Sequence, residues 1–315
     1  MTSVATLIRQ PWLWAWVGAL AVWLVTAAFT GGKGSGEVLS AAMTFGAFFV
    51  IVALGQMFVI TLGPGNVDLS IPACMTLAGT VAMKTMDGAA AMIPVGLLLA
   101  LVIGAFVGTM NYALIRLLRI PPIIATLSSS FIFQSAAIWW NRGLRVKPPE
   151  ALGDFTTAKI AGVPVIALFV IVLAILGHVL LTRTIYGRGV VAIGQNMRAA
   201  HLAGVKVERI RALTYLMCAT LAGLCGFVLS GFSGGAALNM GEEYLLSSIA
   251  VVVIGGTSVA GGFANVPGLW GASLFLFLLV TMLNTFGAGA GVRLVLTGLI
   301  IIGVIVAASG GKART

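Results

Sequence analysis

Residues 182–212 read TRTIYGRGVVAIGQNMRAAHLAGVKVERIRA and form an amphiphilic stretch within a chain that is otherwise mostly apolar. Six basic side chains in this stretch stand against a single acid, Glu208. Apolar segments lie on both sides, and loops rich in Lys and Arg between membrane helices normally stay in the cytoplasm. Good helix formers run from Arg198 to Gly204, and glycine is typical of a helix C-terminus. The stretch therefore predicts a short helix outside the bilayer, on the cytoplasmic side.

The composition predicts an integral membrane protein. Of the 315 residues, 60% are hydrophobic and 8% are charged, whereas soluble proteins carry about 25% charged residues. A chain with so little polar surface cannot cover itself in water. The net charge of +10 is spread over the ends of apolar segments instead of being gathered in one groove. This distribution fits a lipid bilayer and argues against a nucleic-acid partner.

About ten segments are candidate transmembrane helices, since one crossing takes roughly 20 apolar residues. The eighth is the shortest and reaches membrane length only with the glycine-rich residues 255–262 beside it. With the N-terminus inside, eleven of the 18 Lys and Arg residues lie on the side of residues 182–212. This bias predicts that both termini are cytoplasmic. The segments are 12–29, 38–62, the helix that follows residues 63–72 and continues to Thr85, 91–114, 122–140, 163–181, 213–229, 245–254, 266–286 and 294–307.

A discontinuous helix is predicted near residues 63–72, where the chain reads Gly63-Pro-Gly-Asn-Val-Asp-Leu-Ser-Ile-Pro72. Two prolines and two glycines interrupt a helix there. Non-helical backbone at membrane depth is tolerated where protein buries it or water reaches it, and transporters build solute sites from such segments. Two compatible roles stay open for Asp68 and Ser70, which either cap the helix that follows or lie beside a transport pathway.

The sequence shows no recognisable site for making or breaking bonds. It contains no paired carboxylates within a span and no nucleophile elbow, zinc-protease or phosphate-loop motif. Its 3 cysteines lie in apolar segments without a Cys-x-x-Cys or His cluster, so no metal or cofactor is predicted in this chain. An ion-driven secondary carrier would bury several ionisable residues in its spans, and Asp68 is the one good candidate. Such a carrier stays the alternative to a transporter powered by another subunit.

Three stretches carry motifs that also agree in order and spacing with one known family. Residues 66–71 read NVDLSI, residues 186–204 read YGRGVVAIGQNMRAAHLAG, and residues 249–262 read IAVVVIGGTSVAGG. On these motifs the chain resembles the ribose-type sugar permeases of bacterial ATP-binding-cassette importers, in the branched-chain amino-acid and monosaccharide permease superfamily. Arg198 replaces a Glu of the broader family's coupling helix, a change that the ribose-type branch tolerates. Pro64 and Asn66 depart from the usual Gly-Gly-Ile run. The solute therefore stays open between a monosaccharide, an amino acid and a nucleoside.

The resemblance implies a single transmembrane permease domain over residues 1–315, in the bacterial inner membrane. Two permease subunits, as a homodimer or a heterodimer, would pair around a pathway for a monosaccharide. A periplasmic binding protein would deliver the sugar, and a cytoplasmic ATPase subunit would bind ATP and Mg and drive transport. The expected roles on this sequence are contact with the ATPase for Arg198, Ala199, Ala200, His201 and Gly204, a place near the pathway for Asn66, Asp68 and Ser70, and docking of the binding protein for Glu242 and Glu243.

Overall fold

The computed structural model describes residues 10–141, 147–287, 289, 291–292, 295–299 and 302–303. These residues are mainly helical, and the strands among them are β1 (Lys159–Ile160) and β2 (Val163–Pro164), which pair antiparallel. The predicted all-α membrane fold is confirmed. The helices are α1 (Pro11–Phe29), α2 (Ser35–Thr61), α3 (Ile71–Met86), a 3-10 turn (Ala90–Met92), α4 (Ile93–Leu117), α5 (Pro122–Trp140), α6 (Glu150–Thr157), α7 (Val165–Arg183), α8 (Ile185–Gln195), α9 (Met197–Leu202), α10 (Val207–Phe232), α11 (Glu242–Ile254) and α12 (Pro267–Thr285).

Seven helices in the described ranges are long and apolar enough to cross a membrane, namely α1, α2, α4, α5, α7, α10 and α12. Two of the predicted spans correspond to shorter helices, since α3 has 16 residues and α11 has 13. The predicted tenth span at 294–307 lies largely outside the described residues, although 295–299 and 302–303 are helical. The two chain termini, residues 1–9 and 304–315, also lie outside them.

Proline marks the start of five helices, α1, α3, α4, α5 and α12, where it occupies one of the first two helical positions. The first N–H groups of a helix have no acceptor within the helix, so a proline there loses no hydrogen bond. Its fixed φ also matches the helical value. These prolines therefore mark where the helices of the apolar segments begin.

The core forms around α2 and α10, which pack against each other and, between them, against α3, α4, α7, α11 and α12. In the candidate spans of α2 and α10, 67% and 61% of the residues are buried inside the protein, compared with 17% of the residues in the span of α1. Glycines allow α4 to approach α10 closely, because a Cβ on Gly104 would lie 2.5 Å from the carbonyl oxygen of Ala219. A Cβ on Gly108 would lie 2.5 Å from Cα of Leu216. Small residues at such contacts are typical of helices that associate within a bilayer.

Candidate functional site

Three segments that are far apart in sequence meet at one place, which we call the glycine junction. They are residues 61–63 at the end of α2, residues 194–195 at the end of α8, and residues 261–262 in the loop after α11. The N–H of Gly262 donates to the carbonyl oxygen of Thr61 at 3.0 Å. The predicted break at residues 63–72, the basic stretch 182–212 and the motif at residues 249–262 therefore contact one another through their backbones.

Glycine is required at the junction because backbone touches backbone. A Cβ on Gly194 would overlap the carbonyl oxygen of Thr61 and the amide nitrogen of Gly262. A Cβ on Gly261 would overlap the backbone of Gly63, and Gly261 and Gly262 have φ values of 84° and 73°, a region that L side chains rarely adopt. This contact was not predicted from the sequence. The feature that could have indicated it is the presence of a glycine in each of the three segments.

Between α2 and α3 the chain is non-helical over residues 62–70, and Asp68 in this stretch is fully buried. Its Oδ1 accepts hydrogen bonds from the N–H of Ser70 at 2.9 Å and from the Ser70 hydroxyl at 2.6 Å. The third donor to Oδ1 is Asn111 Nδ2 on α4, at 3.3 Å. Ser70 occupies the N-cap position of α3, but its side chain makes no capping hydrogen bond. The carboxylate of Asp68 thus holds the entry to α3 and ties it to α4.

Further hydrogen bonds attach this stretch to the surrounding helices. Gln56 on α2 bonds to the backbone of Asp68 at both its N–H (3.2 Å) and its carbonyl oxygen (3.4 Å). Thr126 on α5 accepts the N–H of the residue after Asp68 at 3.0 Å. Tyr215 on α10 donates to Oδ1 of Asn66 at 3.1 Å. A buried network of this kind holds a non-helical backbone in one arrangement, so the stretch is fixed relative to α2, α4, α5 and α10.

The helix α3 begins level with the middle of a longer helix, α10. Sγ of Cys74, in the first turn of α3, donates to the carbonyl oxygen of Ala219 at 3.2 Å. Ala219 lies at the middle of the 26-residue α10. The non-helical residues 62–70 therefore lie between the end of α2 and the level of the middle of α10.

The helix α11 begins at a similar depth, directly beside α3. Its Tyr244 ring packs with a centroid distance of 5.0 Å against Phe49, which lies at the middle of the 27-residue α2. A Cβ on Gly241, the N-cap of α11, would overlap the backbone of Pro72 at the start of α3. Two half-length helices thus start side by side at the level of the middle of α2 and α10, and transporters build solute sites from discontinuous helices of this kind.

Glu242 and Glu243 form the first turn of α11 and are exposed. The sequence suggested docking of the binding protein as the role of both residues. In the structure, their depth follows from Gly241 and Tyr244, which contact the starts and middles of other helices as described above. Acidic residues suit this position because they interact favourably with the dipole of the helix N-terminus. Exposed carboxylates at this depth are expected to face a water-filled cavity and not lipid.

The helices α8 and α9 form a short two-helix unit, which we call the coupling segment. Thr184 caps α8, since its Oγ1 accepts the N–H of Gly187 at 3.1 Å. Asn196 caps α9 in the same way, since its Oδ1 accepts the N–H of Ala199 at 2.9 Å. Gly204 follows α9 with a φ of 84°. Polar N-caps and a left-handed glycine explain why two short helices form in this basic stretch.

The residues predicted to contact an ATPase do not all point the same way. Arg198, Ala199, His201 and Gly204 are exposed. Ala200 is only 5% exposed and packs against the core of the protein. One face of α9 is therefore presented outward, and the other attaches the coupling segment to the bundle.

Two exposed apolar side chains on α9 were missed by the sequence analysis. Leu202 is 81% exposed and Met197 is 40% exposed. Apolar side chains gathered on the outer face of a short helix are typical of a site that contacts another protein. Their signal in the sequence is the presence of two large apolar residues within an otherwise basic and small-residue stretch.

Tyr186 anchors the coupling segment to the central helices. Its hydroxyl lies 2.8 Å from Oγ1 of Thr214 on α10, and its ring centroid lies 5.9 Å from that of Phe58 on α2. Burial raises the pKa of the Tyr186 hydroxyl to about 12, so this group stays protonated and hydrogen-bonded at neutral pH. The coupling segment therefore touches α2 and α10 here, and it touches the end of α2 again at the glycine junction.

Comparisons with known proteins assign a family to this arrangement. The chain matches the model of "Branched-chain amino acid transport system / permease component" over residues 38–305. It is 30% identical over 302 residues to the autoinducer 2 import system permease protein LsrC of Enterobacter sp. (strain 638), which covers 96% of this chain and 87% of that protein. It is 32% identical over 264 residues to the ribose import permease protein RbsC of Bacillus subtilis (strain 168), covering 80% and 78% respectively. No solved structure matches the chain.

Proposed function

The chain belongs to the family of branched-chain amino acid transport system permease components, and on that premise we propose that it carries a monosaccharide into the cell. It is a multi-pass transport subunit of the inner membrane and not an enzyme, since its relatives are import permease proteins. The relative named as a ribose import permease, at 32% identity, supports a sugar as the solute. An amino acid is the second candidate, because the family description names one.

The proposed import system contains three further components. A periplasmic binding protein delivers the solute, a second permease subunit completes the pathway as a homodimer or heterodimer, and a cytoplasmic ATPase supplies the energy. ATP and Mg bind to that ATPase and not to this chain. Within the residues that the structure describes, no group of three or more His, Cys, Asp or Glu side chains could hold a metal ion.

We propose a single transmembrane domain over residues 1–315 with ten crossings and both termini in the cytoplasm. Seven long helices account for seven crossings. Residues 62–70 with α3 make an eighth, and the chain before α11 together with α11 makes a ninth. Residues 294–307 make the tenth. The support for the two discontinuous crossings is that α3 and α11 both begin at the level of the middle of longer helices.

The glycine junction is the observation that carries the proposed mechanism. Gly194, near the end of α8 in the coupling segment, touches the end of α2 and the loop that follows α11. The discontinuous stretch begins at the end of α2, so a displacement of the coupling segment reaches both half-length helices directly. ATP binding to the partner would favour one of two positions of the coupling segment, and the pathway would open alternately to each side.

We assign contact with the ATPase to the outward face of α9. Arg198, Ala199, His201 and Gly204 lie on it or beside it, with Leu202 as its large apolar residue. Ala200 acts indirectly, because its burial fixes the position of that face. This segment is proposed to be the cytoplasmic coupling helix.

We place Asn66, Asp68 and Ser70 beside the pathway, as side chains that hold the discontinuous stretch in position. Their burial supports a positioning role and not direct contact with the solute. Glu242 and Glu243 have two candidate roles, namely docking of the binding protein and lining of the pathway. Their depth beside the start of α3 favours the pathway, where carboxylates can accept hydrogen bonds from the hydroxyls of a sugar.

The proposed function is tested by purifying the permease from its native membrane with the proteins that remain bound. The complex is reconstituted into liposomes, and uptake of radiolabelled ribose is compared with uptake of leucine. Uptake of ribose that requires ATP and the binding protein is the expected result. Uptake of leucine without uptake of ribose would change the proposed solute to an amino acid and would leave the proposed import mechanism in place. Uptake driven by an ion gradient without an ATPase would overturn the importer in favour of a secondary carrier.

A further inference from the structure

A pocket at the end of α4 carries an excess of positive charge. It is open, has a volume of about 400 Å³, and is lined by Arg116, Arg119, Arg211 and one acid, Glu208. Three guanidinium groups against one carboxylate leave a formal charge of +2. Glu208 is already engaged, because its Oε2 lies 2.7 Å from Arg116 Nε and accepts the hydroxyl of Tyr112 at 2.6 Å. Glu208 is thus shared between Arg116 and Arg211, and the pocket keeps its excess of positive charge.

Arg211 is only partly satisfied by Glu208, and Arg119 has no ion-pair partner among the described residues. The Arg211 side chain is 15% exposed, and its Nη1 is 3.9 Å from Glu208. Its Nε is buried without a hydrogen-bond acceptor among the described residues. Arg119 forms no ion pair within the described ranges. Because a buried donor without an acceptor is costly, an anionic oxygen bound in this pocket would stabilise the arrangement.

Exposed apolar side chains within two residues of the lining residues Arg116, Arg119 and Pro122 form what we call the aliphatic rim. Leu117 and Leu118, at the end of α4, are 76% and 62% exposed, and Ile124 in the first turn of α5 is 55% exposed. Exposed aliphatic side chains on membrane-spanning helices contact acyl chains. The pocket therefore lies where the apolar surface of α4 and α5 meets the level of the lipid headgroups.

We propose that this pocket binds the phosphate group of an anionic phospholipid such as phosphatidylglycerol. Guanidinium groups donate paired hydrogen bonds to phosphate oxygens, and basic pockets between membrane helices are suited to lipid headgroups. The aliphatic rim accommodates the acyl chains, which a soluble phosphate compound or an acidic protein surface would not need. A bound lipid joins the α4–α5 turn to the first turn of α10, where the coupling segment enters the bundle. The inference requires a membrane location but no particular solute.

The test uses nanodiscs that contain phosphatidylcholine and phosphatidylglycerol in equal amounts. The full-length permease is released in mild detergent, and the retained lipids are counted by native mass spectrometry. Wild type is expected to retain phosphatidylglycerol preferentially. The double variant Arg119→Gln/Arg211→Gln is expected to lose this preference by roughly 25-fold, since each basic group contributes about fivefold at such a surface. The matched control is Arg183→Gln/Arg188→Gln, which removes the same charge from exposed positions on α7 and α8 and is expected to retain it.

Three outcomes would overturn the proposal. The first is equal preference for phosphatidylglycerol in wild type and in Arg119→Gln/Arg211→Gln. The second is that inorganic phosphate displaces phosphatidylglycerol and binds with the same affinity as the lipid. That result would assign the pocket to a soluble anion. The third is no lipid preference in wild type together with loss of the co-purifying ATPase in the double variant, which would assign it to a protein.

The variant Arg119→Lys/Arg211→Lys keeps the charge and checks that a loss is not caused by misfolding. None of these readouts needs ATP or the binding protein, so failure here leaves the proposed import function untouched.

Discussion

Replacing Gly194 with alanine tests whether the glycine junction passes movement from the coupling segment to the pathway. Gly194 is the penultimate residue of α8, and its Cβ would overlap the Thr61 carbonyl oxygen and the Gly262 amide nitrogen. Both obstacles are backbone atoms, so neither can rotate away. Either α8 moves outward or the end of α2 and the loop after α11 separate.

The magnitude follows from three terms. Alanine in place of glycine within a helix would by itself stabilise α8 by about 0.5–1 kcal/mol. Overpacking against fixed neighbours costs about 1–3 kcal/mol. Loss of the 3.0 Å hydrogen bond from Gly262 to Thr61 adds about 1 kcal/mol. The net destabilisation of about 1–3 kcal/mol is small against the 5–15 kcal/mol of a typical domain, so the permease stays folded while the junction is displaced.

The assay measures solute uptake and ATP hydrolysis on the same liposomes. We expect Gly194→Ala to lower uptake about tenfold, which corresponds to 1.4 kcal/mol, while hydrolysis by the partner ATPase continues. The matched control is Gly36→Ala, because Gly36 lies in the first turn of α2 with no atom within 4 Å of its Cβ position. Size-exclusion chromatography confirms that each variant is folded. Uptake at the wild-type level with folded Gly194→Ala would refute a role for the junction in coupling.

Three other substitutions probe the coupling segment and the buried network. Gly204→Asp, at φ 84° with open space around it, is expected to uncouple ATP hydrolysis from uptake in a folded protein, whereas Gly204→Asn should be tolerated better because Asn adopts this φ more readily; unchanged uptake in Gly204→Asp would contradict this. Leu202→Asp should abolish co-purification of the ATPase, with Leu202→Met as the control that retains it. Asp68→Ala leaves the N–H and the hydroxyl of Ser70 without their acceptor, while Asn111 Nδ2 keeps only its bond to Ser70. Thermal unfolding should therefore show a loss of about 2–5 kcal/mol together with reduced uptake. A melting temperature equal to that of wild type would show that Asp68 does not hold this stretch.

The sequence by itself determined the class of protein and the position of most long helices. A continuous apolar run has one stable form in a bilayer, because every backbone N–H and C=O must be bonded within the segment. The predicted span 163–181 therefore corresponds closely to α7 (Val165–Arg183), and the predicted break at 63–72 corresponds to the non-helical residues 62–70. Turn and breaker residues act locally, so their effect can be read without knowledge of the neighbours.

Only the tertiary structure decided which segments meet and which side chains are presented. The junction joins backbone at Gly63, Gly194 and Gly261, and nothing within any one segment specifies the other two. The burial of Ala200 beside the exposed Leu202 and the depth of Glu242 are also set by packing against distant helices. In a soluble helix a polar face would indicate the orientation. A membrane helix such as α2 is apolar on all sides, so close packing of small residues chooses its neighbours, and that choice becomes visible only when the helices are assembled.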